Sequence, residues 1–237
     1  MFNQQHKGEN EMYRSPPYRV RVRGELACFT RPEFKAERVS YEVITPSAAR
    51  GVLEAILWKP AICWHIDQID VLAPIRFTGF RRNEVEGRVS VANAKTAMKS
   101  GVLPDFVVET QRQQRHTLAL EHVDYVVTAH FTMTDKAGPE DNPTKFEAMF
   151  QRRLKKGQCF HQPYLGCREF PANVAPADDA PQPIGLSKSL GLMLYDIEFD
   201  AADRGDRLRP LFFSAELQQG VVAVPPREQV ITSGGAP

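Results

Sequence analysis

The sequence predicts an α+β fold in which antiparallel strands are interleaved with two helices, and three observations predict it. Residues 18–23 and 122–134 alternate apolar and polar side chains, the period of half-buried strands. Residues 46–58 and 143–156 carry apolar positions at helical spacing, each behind a capping residue and a proline. The order of the elements, strand-helix-strand, insertion, strand-helix-strand, is the βαββαβ arrangement.

In the first strand Val20 and Val22 point one way, while Arg19, Arg21 and Arg23 point the other, giving a basic outer face. Thr45 caps the first helix, whose Ala49, Val52, Leu53, Ile56 and Leu57 share a face, and Pro60 ends it. A second strand runs over 61–71 with Ile62, Trp64 and Ile66 alternating, and a short strand is expected over 75–80. Residues 84–118 read as a partly helical insertion (a helical run at 92–100, then the polar stretch 110–116) before a strand resumes at 122–134. Asn142-Pro143 opens the second helix, Lys155 and Lys156 fill its last turn and Gly157 stops it. A further strand is expected around 160–169. Prolines 171, 176, 181 and 183 mark a linker, followed by a strand over 190–199 and a hairpin over 211–224. The expected organisation is a ferredoxin-like, RNA-recognition domain over 14–170 with its insertion at 84–118, then a small antiparallel β-sheet domain over 171–226. Residues 1–13 and 227–237 are expected to be disordered.

The chain has 237 residues, 42% hydrophobic and 25% charged, with 30 Lys+Arg against 29 Asp+Glu. No apolar run approaches the ~20 residues of a membrane span, and the first dozen residues lack the apolar stretch of a signal peptide. Cys28, Cys63, Cys159 and Cys167 form no CxxC pair, so neither a disulfide framework nor a zinc site is indicated, and a cytoplasmic location is expected. GxSxG, Walker, HExxH and dinucleotide fingerprints are missing, so hydrolase and transferase classes with such motifs are not supported and no metal or cofactor is implied.

Charge by region says more than the total. Residues 1–168 carry 25 Lys+Arg against 19 Asp+Glu, and residues 169–237 carry 5 against 10. The densest basic segment, Lys145 to Arg168, holds Arg152, Arg153, Lys155 and Lys156 against the single acid Glu147. One basic face on a near-neutral protein is the footprint of a surface that meets phosphates, although a solvated helix face has the same composition. RNA carries its own nucleophile, the 2′-hydroxyl, so its cleavage needs only proton transfer and cations around the phosphate. Of the six histidines, His161 follows the basic helix beside Tyr164, His65 and His130 sit on strands as structural groups, and His116 lies in the polar insertion.

Seven strings narrow the reading: Ala27–Glu33, Arg38–Val43, Thr45–Gly51, Trp58-Lys59-Pro60, Arg81–Glu84, Asp135–Asn142 and Leu165–Phe170. Together, in this order over about residues 18–225, they resemble the CRISPR-associated Cas five family in its type I-C form. The resemblance implies metal-independent cleavage of CRISPR repeat RNA to guide RNAs, leaving a 2′,3′-cyclic phosphate. It also implies retention of the guide 5′ end with the other subunits of a type I-C surveillance complex. In the family a Tyr or His precedes Trp-Lys-Pro and a Lys-His pair opens the second helix; here those positions are Leu57 and Lys145-Phe146. Lys145 is thus expected to clamp the phosphate, with Tyr41, His161 or His130 moving protons. Repeat RNA is expected across Arg19, Arg21, Arg23, Arg81 and Arg82, flanked by the helix bearing Arg152, Arg153, Lys155 and Lys156, with Arg168 beyond it. A non-catalytic RNA-gripping subunit is the alternative, and a third reading is contact with duplex DNA through Arg88, Lys95, Lys99 and the stretch Arg112 to His116.

Overall fold

A computed structural model describes residues 13–34, 37–103, 106–199 and 208–232. Residues 1–12 and 233–237, expected to be disordered, lie outside the described residues. Strand β1 (Tyr18–Ala27) buries Val20 and Val22 completely and turns Arg19 and Arg23 outward, as the alternation requires. After the two-residue strand β2 (Arg38–Val39), helix α1 (Pro46–Ile56) starts at Thr45, whose hydroxyl accepts from the Ala48 N–H at 3.3 Å. Strand β3 (Ile62–Val71) follows, then β4 (Phe77–Val85), helix α2 (Val91–Ser100) and the 22-residue strand β5 (Arg112–Met133). Helix α3 (Pro143–Lys156) is capped by the Asn142 side chain, which accepts from Thr144 N–H at 2.9 Å, and is closed by Gly157 at φ 64°.

The sheet runs β6 (Asn173–Pro176), β1, β5, β3, β9 (Val221–Ala223), β8 (Leu208–Gln218), β10 (Ile231–Thr232); β2 and β4 pair with β5, and β7 (Lys188–Phe199) pairs with β8. All these pairings are antiparallel except β2 with β5. The β9–β3 ladder joins the C-terminal strands to the main sheet, and the β1–β6 and β3–β9 ladders both cross the boundary expected at residue 170. Helices α1 and α3 cover one sheet face. Beneath them Trp64 and Tyr18 meet Phe150 with ring centroids 4.6 and 4.9 Å apart, and Trp64 meets Phe131 at 5.4 Å. No helix among the described residues is long and apolar enough to cross a membrane.

Five expectations differ. Strand β5 begins at Arg112 instead of 122, because the polar stretch 112–116 pairs with β4 from Arg81 to Val85; backbone ladders hold it without an apolar face to announce it. Strand β4 therefore extends well past residue 80, and the insertion is a two-stranded arm carrying α2, none of whose residues is buried. Residues 160–169 form a loop instead of a strand, tied by an isolated bridge between Tyr164 and Pro171 and turned at Gly166 (φ 81°). The strand that completes this part of the sheet is β6, inside the expected linker; it lies on the edge, where Pro176 sacrifices no central ladder. Finally, residues 227–232 are structured, as a short 3-10 turn and β10. The expected hairpin is present, with positive φ at Gln219 (49°) and Gly220 (79°) as a two-residue I′ turn requires.

Candidate nucleic-acid interface

Helix α3 presents two unlike sides. Phe146, Phe150 and Leu154 face the core and are buried. Lys145, Arg152 and Lys156 stand seven and eleven residues apart, which at 3.6 residues per turn keeps them within roughly 40° of one line, about 16 Å long. All three are exposed, as is Lys155, and none forms an ion pair with a described carboxylate. Glu147 points away from this stripe and accepts a hydrogen bond from the Tyr13 hydroxyl, which pushes the Tyr13 pKa up to about 12. Lysine at a helix N-terminus is disfavoured by the macrodipole, so Lys145 at the positive end of α3 makes a strongly anion-attracting spot. Arg153 is committed elsewhere: its Nη1 donates to the Ile56 carbonyl at 2.7 Å, capping the last turn of α1.

The arginines of β1 lie on the other face of the sheet, because Tyr18, Val20 and Val22 take the face under α3. The single surface expected from the sequence is therefore two surfaces with the sheet between them. Arg21 is held by Asp124 through bonds of 3.0 and 2.6 Å, and Arg19 by Asp70 at 3.2 Å; Arg23 is exposed. On β4, Arg81 is exposed, whereas Arg82 donates to Glu84 at 3.0 Å and to Glu169. Arg38 joins the same network, 3.4 Å from Glu84 and 3.5 Å from Glu169, and donates to Cys167 Sγ at 2.9 Å. The neighbouring Cys28 thiol and the Arg38 guanidinium hold the Cys167 pKa below the usual thiol range, against the opposing effect of burial. Arg168 is exposed beside this network.

The residues expected to act on one phosphate, Lys145 with Tyr41, His161 or His130, are not gathered together, and His130 lies on the sheet face away from α3. Tyr41 is 1% exposed, its ring lies 4.4 Å beneath the Arg31 guanidinium, and burial raises its pKa. A hydroxyl so placed does not reach substrate, which corrects its expected role. Lys145 and His161 lie at opposite ends of α3. His161 is exposed on the loop after the helix, its ring 6.4 Å from Tyr164 and 6.2 Å from Phe160, and it lines a groove of about 530 Å³ with Phe160, Gln162 and Asn173. Leu57 and Phe146 are both core residues; Leu57 accepts from the Trp64 indole at 2.9 Å, and the chain emerges only at Trp58, 58% exposed.

One cluster escaped the sequence reading. Register between β3 and β5 sets His65 opposite His130, rings stacked at 5.0 Å, on the same face as the β1 arginines. His130 Nδ1 meets Asp67 at 2.8 Å and Arg14 at 3.3 Å, and His65 Nε2 meets Thr132 at 2.9 Å. Burial first, then His130, lowers the His65 pKa. Alternation alone placed each histidine on the outer face of its strand; only the pairing register brings them together.

A family model described as CRISPR-associated protein (Cas_Cas5) matches residues 18–225, and the chain belongs to this family of CRISPR-associated proteins. Within it, the chain takes the type I-C form, Cas5d. It is 51% identical over 217 residues to the CRISPR pre-crRNA endoribonuclease Cas5d of Mannheimia succiniciproducens, covering 88% of this chain and 94% of that protein. The protein of the same description from Thermus thermophilus is 43% identical over 221 residues, covering 87% and 90%. Among solved structures, a functionally uncharacterized protein from Streptococcus mutans (TM-score 0.67) and a CRISPR-associated protein (TM-score 0.68) share the fold. Each is 22% identical and covers 94% of this chain and 100% of its own.

Proposed function

We propose that this chain is a pre-crRNA endoribonuclease, which binds CRISPR repeat RNA, cleaves it to guide RNAs by metal-independent 2′-hydroxyl attack and keeps the guide 5′ end within a surveillance complex. The observation that carries the reading is the unpaired cation stripe of α3, starting at Lys145, in a chain half-identical to a protein named for that activity. The strand order β3-β5-β1-β6 under α1 and α3 supports a ferredoxin-like, RNA-recognition domain, with the later strands as a smaller β domain against it. The activity belongs in the cytoplasm, where repeat transcripts are made.

In the reaction the ribose 2′-oxygen attacks the adjacent phosphorus as its proton leaves, the bond to the 5′-oxygen breaks, and that oxygen takes a proton from water. The products are a 2′,3′-cyclic phosphate and a 5′-hydroxyl. Lys145, at the positive end of the α3 dipole, stabilises the charge on the crowded phosphate. Arg152, Lys155 and Lys156 hold the neighbouring phosphates. Because Leu57 and Phe146 are apolar, the 2′-hydroxyl proton passes to water at this exposed turn, and cleavage is slow. The rate then rises about tenfold per pH unit below the ribose pKa, as specific-base chemistry requires.

Buried Leu57 and Phe146 also favour a second reading, a subunit that grips RNA without cutting it. Exposed Arg88, Lys95, Lys99 and Arg112 on the arm support duplex-DNA contact as an additional property. Incubating the protein with its repeat RNA in EDTA separates these. One cut that disappears when the scissile 2′-hydroxyl is replaced by hydrogen is the expected result. Tight binding without a cut establishes the second reading, and no RNA binding sinks both. Duplex binding that is flat between low and physiological salt removes the DNA contact.

A further inference from the structure

We infer that the loop after α3 is a nucleobase-stacking shelf, in which Phe160, backed by His161 and Tyr164, receives an unpaired base of the RNA flanking the repeat hairpin. The inference rests on the RNA reading above and adds to it a ligand, an unpaired nucleotide, and a specificity-determining residue.

Phe160 is 83% exposed, more than any other Phe, Tyr or Trp among the described residues, and it is not exposed through slackness. Its own N–H donates to the Ala55 carbonyl of α1 at 2.7 Å. Beyond it, Gln162 Nε2 donates to the carbonyls of Pro163 (3.2 Å) and Ala172 (3.0 Å), and Ala172 N–H donates to Pro163 at 2.8 Å. These bonds fix the backbone on both sides of Phe160, so its ring moves only about its own two side-chain torsions. The ring is presented in advance, which lowers the ordering cost of binding.

Its neighbours continue the surface. The Phe160 and His161 centroids are 6.2 Å apart at 71°, and those of His161 and Tyr164 are 6.4 Å apart at 28°, nearly parallel. The shelf borders the 530 Å³ groove, where the Asn173 amide offers a donor and an acceptor to a base edge, and Gln162, its amino group already committed, offers its Oε1. Charge selects the occupant. Lys155 and Lys156, in the last turn of α3, lie four to five residues before Phe160 and are exposed, so a polyanion tracking the stripe arrives at the rings. Exposed aromatic faces beside a cationic track are how single-stranded nucleic acid is held, since every base has a π-face and every linkage a charge. A duplex stem hides its base faces, so the ligand is the unpaired flank and not the hairpin.

The test compares wild type with Phe160→Ala and Phe160→Tyr, on two RNAs made uncleavable by 2′-deoxy substitution: the repeat hairpin with its single-stranded flank, and the same hairpin without it. Phe160→Ala should weaken the flanked RNA about tenfold, leave the blunt hairpin unchanged, and be rescued by Phe160→Tyr. In Phe160→Trp, the flanked RNA should quench the added indole fluorescence and the blunt hairpin should not. Unchanged affinity of Phe160→Ala for the flanked RNA, or an equal loss on both RNAs, overturns the shelf while leaving the RNA reading intact. Wild type that binds neither RNA overturns both.

Discussion

Replacing Arg152, Lys155 and Lys156 together by alanine strips the C-terminal part of the cationic stripe without touching the buried side of α3. None of the three is paired with a described carboxylate, so each is free to neutralise one phosphate and release its counterion. Each phosphate contact contributes about 0.7 to the slope of log K against log salt for a single strand, and about 0.9 for a B-form duplex. Three contacts therefore flatten the slope by roughly 2 to 3, so that a fourfold rise in salt costs wild type about 20- to 40-fold more affinity than the variant. Fluorescence anisotropy of labelled repeat RNA between about 50 and 200 mM salt reads the slope directly. Alanine keeps helix propensity high, and circular dichroism checks that α3 persists. Arg21→Ala is the control, because that guanidinium is already engaged by Asp124 at 2.6 Å and lies across the sheet. An unchanged slope in the triple variant, or a larger change in Arg21→Ala, would refute the assignment of RNA to this side of the molecule.

Lys145→Ala should slow single-turnover cleavage about 10²-fold while altering RNA affinity little, because one preorganised charge is lost at the reacting phosphate; a matching loss of affinity would make Lys145 a tether only. Phe150→Ala should cost about 3–5 kcal/mol in urea unfolding, since the ring is fully buried between Trp64 and Tyr18. Gly166→Ala should cost about 2–3 kcal/mol, as its φ is +81° and an added Cβ would stand 2.0 Å from the Cys28 carbonyl oxygen; a neutral effect would mean the loop is pliant. Burial and His130 keep the folded His65 pKa below its unfolded value, so the unfolded state binds the extra proton. The neutral-His65 contribution is thus present above the unfolded pKa of about 6.5 and falls away as pH drops below it. His65→Asn should flatten the decline of stability between roughly pH 6.5 and 5, measured as urea midpoints, and an unaltered decline would assign it to other groups.

What the sequence made legible was whatever has a local cause. Thr45-Pro46 and Asn142-Pro143 carry their caps within three residues, and Val20 and Val22 declare a buried face by alternation. Long-range pairing left weaker traces. The polar start of β5 has no apolar face to report, and β6 hides among prolines because an edge strand tolerates them. The candidate site was legible as a list and not as a place. Lys145, Arg152, Lys155 and Lys156 are neighbours by helical spacing alone, whereas the separation of α3 from Arg19 and Arg21 depends on which sheet face the helices choose. Tyr41 reads in sequence like any polar aromatic, and only the packing of Arg31 and Leu194 around it shows that it is enclosed.

Strand β5 is a continuous spar. Its 22 residues, roughly 70 Å if straight at strand rise, run from the outlying arm to the centre of the sheet. Its outer half is laced to β4 and its inner half to β1 and β3, with His122, at φ 50°, standing at the joint. Tension applied near α2 is therefore delivered along one backbone into the ladders flanking Phe131 and His130, instead of dissipating in a slack connector.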